Sequence, residues 1–122
     1  MRSNDKGFHR CIRISWYDKF KTSANKRGIS WLLTMDDLAD LYEKQKGICA
    51  LTGDKIYMPN TGHHKDQDAS IDRVNSAFPY MAGNIQLTSK ASNMAKQSYS
   101  QEYFIALCNK ITNYNSIQNI GN

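Results

Sequence analysis

The chain has 122 residues, 40% hydrophobic and 22% charged, with a formal net charge of +5 and a sequence pI near 9.2. These values exclude a disordered or fibrous chain and fit one domain, spanning 1–122, around a single modest core. The cationic excess favours a polyanionic partner, nucleic acid ahead of a membrane surface, and no apolar run has the length of a membrane span or a secretory leader.

In chain order, residues 1–10, MRSNDKGFHR, read as a flexible basic arm. Ile12, Trp16, Phe20 and Ala24 are spaced four apart and predict an amphipathic helix over 11–27, stopped by Gly28. ISWLL (29–33) reads as a brief extended run. Thr34, with Asp36 and Asp37 behind it, predicts an N-cap and a capping box opening a second helix. Met35, Leu38, Leu41 and Tyr42 form its buried stripe to about Lys46, and Gly47 ends it. The T-G-D-K turn between ICAL and KIYM predicts a β-hairpin over 48–58. PNTGHHKDQD (59–68) is a polar loop. A short strand over 69–75 ends at Asp72 or Arg73. After the turn SAFPYMAG comes a strand over 84–89, then a helix over 90–97 capped by Ser89. QEYFIALCNKI predicts a last helix that buries Tyr103, Phe104, Leu107, Cys108 and Ile111, and the Asn-rich tail over 114–122 is expected to fray. The fold class is therefore α+β.

Cys11, Cys49 and Cys108 are odd in number and widely spaced, with no C-x-x-C. That pattern fits neither a disulfide framework nor a structural zinc site, and it makes the cytoplasm the expected compartment. Each sits in an apolar context and reads as a small buried hydrophobe.

Four short pieces follow one another at fixed spacing: CALTG (49–53), SIDRVNS (70–76), PYMAGNIQ (79–86) and NMAK (93–96). Together they run strand, turn, strand, helix, with polar residues where the strands end and where the helix faces back. This series resembles the ββα-metal nucleases, the HNH (His-Me finger) family, in the branch common in phage and bacterial genomes. The likeness covers most of residues 16–111. It implies a small ββα-metal core within 48–97, a preceding β-hairpin and flanking α-helices. It also implies a DNA endonuclease or nickase acting on double-stranded or branched DNA in the bacterial cytoplasm, encoded by a phage or mobile element.

By the same resemblance, Asp72 and Asn93 hold one divalent cation. Two oxygen donors suit Mg²⁺ or Mn²⁺ better than zinc. Asn84 matches the middle residue of the family's name and braces the loop behind the site. Most of the family carries a histidine after the first Asp. Here Arg73 stands there, and arginine stays protonated. Arg73 then grips the scissile phosphate while His63 or His64, in the loop leading to Asp72, activates water. Metal and phosphate activating water without a side-chain base is a second possibility. A third is a catalytically inactive scaffold that only binds nucleic acid. Arg10, Arg13, Lys19, Lys21, Lys26 and Arg27 on the arm and first helix, with Lys90 and Lys96 flanking the site, are the expected phosphate contacts. The oligomeric state stays open between monomer and homodimer.

Overall fold

A computed structural model of the chain describes residues 6–59 and 65–120. Among the described residues it is α+β, with four α-helices and two small antiparallel two-stranded sheets.

The chain opens with β1 (Phe8–His9) and β2 (Ile12–Arg13), which pair around a tight turn with Arg10 at φ 55°. Residues 6–10 are therefore not a free arm, and α1 (Ile14–Lys26) starts three residues later than its period predicts. The reason is Ile12, which is buried in this hairpin as it would be in a helix, so spacing alone could not tell the two apart. Arg10 is corrected as well. Its guanidinium pairs with Asp36, Asp40 and Glu43 of α2 (Met35–Lys44), which fastens the hairpin to that helix rather than offering it to a phosphate. His9 joins the same acidic face at 2.8 Å from Asp36.

At the start of α2 the capping box is present: Thr34 Oγ1 accepts from the Asp37 amide, and Asp37 accepts from the Thr34 amide. Past its end, Gly47 takes φ +67°, with Tyr42 Oη 3.3 Å from where a β-carbon would lie. The hairpin expected over 48–58 is reduced to a single bridge between Ile48 and Lys55. Its first arm turns elsewhere: the Ala50 amide donates to Leu87 O, and the Cys49 thiol accepts from the Ser89 amide.

The centre of the fold is β3 (Ala69–Arg73) against β4 (Ile85–Ser89), followed directly by α3 (Lys90–Lys96). Their register places Asp72 opposite Gln86. Ser89 caps α3 by accepting from the Ser92 amide. Ala69, Ile71, Ile85 and Leu87 join Trp16, Leu38 and Ile56 in one core. Trp16 of α1 ties that helix to the sheet, its indole donating to Ala69 O at 2.9 Å. The Gln45 side chain does for β4 what a neighbouring strand would: its amide nitrogen donates to Leu87 O and its oxygen accepts from the Leu87 amide.

The last helix, α4 (Gln101–Ile120), continues to Ile120, into the Asn-rich stretch that composition reads as frayed. Phe104 and Leu107 are half-buried, but Tyr103, Cys108 and Ile111 are exposed, so the predicted buried stripe is wrong on three of five positions. Every side chain from Cys108 to Ile117 faces solvent, because nothing in the described fold lies alongside the outer turns. Exposed Cys108 and half-buried Cys11 also correct the reading of three buried cysteines.

Candidate active site

Asp72, at the end of β3, is 4% exposed, and Lys96, in the last turn of α3, is 2% exposed. The Lys96 ammonium donates to Asp72 Oδ1 at 3.0 Å and to Arg73 O at 3.3 Å. Gln86, across the sheet, donates to Asp72 Oδ2 at 2.8 Å, and the same amide reaches Gln101 on α4. A buried carboxylate is tolerable only when paired and hydrogen-bonded, and this one is both. Lys96 is thereby removed from the expected phosphate contacts. A last-turn lysine usually reads as solvent-facing, yet Lys96 lies three residues past Asn93, on the same side of the helix. That offset was the available signal, and sequence reasoning missed both Lys96 and Gln86.

Asn93 is half-buried on α3. Its Nδ2 donates to Ser70 Oγ at 2.6 Å and to Ile71 O at 3.4 Å. A backbone carbonyl can only accept, so the nitrogen of the amide must face β3. Oδ1 is left with no hydrogen-bond partner among the described residues.

Asn84 ties together the turn between the strands. Its Oδ1 accepts from the Asn75 amide at 3.0 Å, and its Nδ2 donates to Asn75 O and Pro79 O. Arg73 supports the same turn from the other side, one Nη donating to Ser76 O and Phe78 O.

These elements enclose an open cleft of about 450 Å³ lined by Asp72, Arg73 and Asn93, with Arg27 and Ser23 of α1 and buried Tyr80 on its other side. Asp72, Arg73 and Asn93 are thus brought to one place, and Asn84 stands behind it. His63 and His64 lie outside the described residues, which resume at a 3₁₀ turn, Lys65–Gln67, leading into β3. Lys19, Lys21, Lys26 and Arg27 are exposed on α1, and Lys90 is exposed at the start of α3. Arg13 is half-buried, its guanidinium over the Phe8 ring at 4.5 Å from the centroid, so it supports the N-terminal hairpin.

Behind the sheet, Cys49 Sγ is 3.4 Å from the Thr52 amide, 3.2 Å from the Ser89 amide and 3.6 Å from Ser92 Oγ. Burial pushes its thiol up, but hydrogen bonds from Thr52, Ser92 and Ser89 outweigh it and bring the pKa down to about 7.

Among the described residues no three His, Cys, Asp or Glu side chains converge on one point. An ion in this cleft would therefore be held by one carboxylate plus neutral oxygen donors. Asp72 and Asn93 offer that set. Each Asp72 oxygen accepts one hydrogen bond from the protein and keeps a second lone pair, and Asn93 contributes a free carbonyl oxygen. The set suits a hard cation such as Mg²⁺ or Mn²⁺. No family model matches the chain, and no curated protein or solved structure matches it significantly. Among the described residues no helix is long and apolar enough to cross a membrane.

Proposed function

We propose that the chain is a metal-dependent DNA endonuclease or nickase of the ββα-metal (HNH) type. The observation that carries this reading is the shared cleft: a carboxylate and a guanidinium at the end of β3 beside an amide oxygen on α3 that has no partner among the described residues. One Mg²⁺ or Mn²⁺ ion, when bound, would neutralise charge developing on the phosphate and the leaving oxygen.

The chain's own residues divide the remaining work. Asp72 and Asn93 present the donor oxygens. Gln86 and Lys96 fix the Asp72 carboxylate in one orientation, so little of it must be ordered when a ligand arrives. Arg73 has one Nη bound to the turn, and its other donors have no hydrogen-bond partner among the described residues and can serve a phosphate oxygen. Asn84 holds that turn and through it Arg73. Water activation is assigned to His63 or His64, whose loop leads into β3. Exposed Lys19, Lys21, Lys26 and Lys90 supply sequence-independent phosphate contacts.

A second reading, a silent nucleic-acid-binding scaffold, is favoured by one fact: both Asp72 oxygens already have protein donors, one of them a cation. Plasmid nicking separates the two. Supercoiled DNA is incubated with Mg²⁺ or Mn²⁺ and with wild-type, Asn93→Ala or Asp72→Asn protein, folding being checked by circular dichroism. The nuclease reading expects metal-dependent nicking that falls at least ~100-fold in both variants, the scale at which removing one stabilising group of a site is felt. Binding without nicking under either metal would establish the scaffold instead. A His63→Ala/His64→Ala variant that nicks at the wild-type rate would remove that loop from the mechanism.

A further inference from the structure

Arg27, the C-cap of α1, and Arg73, at the end of β3, are 46 positions apart in sequence but line the same cleft. Both sit against one ring. The Arg27 guanidinium carbon is 5.9 Å and that of Arg73 is 5.1 Å from the Tyr80 centroid. Arg27 Nη2 also donates to Tyr80 Oη at 2.8 Å. Neither arginine forms an ion pair among the described residues, whereas Arg10 pairs with three carboxylates. Among the described residues the one acid lining the cleft is Asp72, already paired with Lys96. Two like charges held against one ring, with no carboxylate paired to either among the described residues, are stabilised by an anion that bridges them. Among the described residues, Arg27 Nη1 and Arg73 Nε and Nη2 have no acceptor.

We propose that Arg27 and Arg73 form a two-guanidinium clamp on a single phosphodiester oxyanion, with Tyr80 as the spacer that positions Arg27. This deepens the nuclease reading by naming a phosphate-positioning residue on α1, but the clamp itself works without metal. Arg27 differs from its neighbours Lys19, Lys21 and Lys26 in this: they are point charges on an open face, whereas Arg27 has a fixed fork directed at the cleft.

The test is fluorescence anisotropy of a labelled 16-base-pair duplex in EDTA over a series of salt concentrations. The variants are Arg27→Gln, Arg73→Lys, their double, Tyr80→Phe, and Lys44→Gln as the control for one lost surface charge. The clamp expects Arg27→Gln to weaken binding about tenfold or more and to lower the salt slope by about one contact, with Lys44→Gln changing it less than twofold. Tyr80→Phe is expected to follow Arg27→Gln. Because both arginines act on one phosphate, the double variant is expected to lose clearly less than the product of the singles. Arg27→Gln behaving like Lys44→Gln overturns the clamp, and so does a double variant that equals the product. The assay contains no metal, so failure to nick DNA under any cation would remove the nuclease reading and leave the clamp standing. Metal-dependent nicking with Arg27→Gln binding like Lys44→Gln would do the reverse.

Discussion

At the scale of single residues, Asp72–Lys96 is the ion pair buried on both sides among the described residues. Removing one partner of a buried ion pair strands the other charge, whereas removing both does not. Lys96→Met is therefore expected to cost about 3–5 kcal/mol, and Lys96→Met with Asp72→Leu clearly less than the sum of the singles, by urea denaturation. A double variant that costs the full sum of the singles would show that the pair is not coupled. Asp72, Asn84 and Asn93 are legible as a group because four short pieces follow one another in a family-like order and spacing. Lys96 is not, because charge and helix position predict exposure, and only its offset from Asn93 points inward. Cys49 was read as an inert hydrophobe. Its sulfur instead accepts from backbone amides, and no sequence signal reports that. The thiol falls from its usual 9.0 to about 7 in the fold, so its stabilising contribution is complete above pH 9 and lost as pH falls through 7. The difference in urea midpoint between wild type and Cys49→Ala is expected to widen from pH 6.5 to pH 9. A difference independent of pH would place the thiol at its ordinary value.

At the scale of elements, signals carried by adjacent residues read well and those depending on distant partners did not. The α2 capping box is local chemistry, so Thr34 and Asp37 announce it. Thr34→Ala is expected to cost about 1 kcal/mol in thermal or urea unfolding, and no change would mean that the cap is replaced by solvent. The β1–β2 hairpin was illegible because its anchor is remote: Arg10 reaches three carboxylates on α2. The 48–58 hairpin failed for the same kind of reason. Its first arm bonds to β4, and the Gln45 side chain pairs with the Leu87 backbone where a strand edge would otherwise be bare. Helical period correctly gave α4, but period says which residues share a face and not whether anything covers it.

At the scale of the molecule, Arg10 gathers Asp36, Asp40 and Glu43 of α2, while Lys19, Lys21 and Lys26 are exposed on α1 and Arg27, its C-cap, lines the cleft. Asp72 and Asn93 lie in that cleft, in a chain whose net charge is +5. The central claim is that those two residues, from neighbouring elements, together hold one hard cation at that cleft. Its most direct test is a crystal soaked in Mn²⁺ and examined by anomalous scattering. The account predicts one peak within coordination distance of an Asp72 carboxylate oxygen and Asn93 Oδ1, absent from Asn93→Ala crystals. A fully soaked crystal without that peak, with Lys96 still the only cation on Asp72, would contradict it.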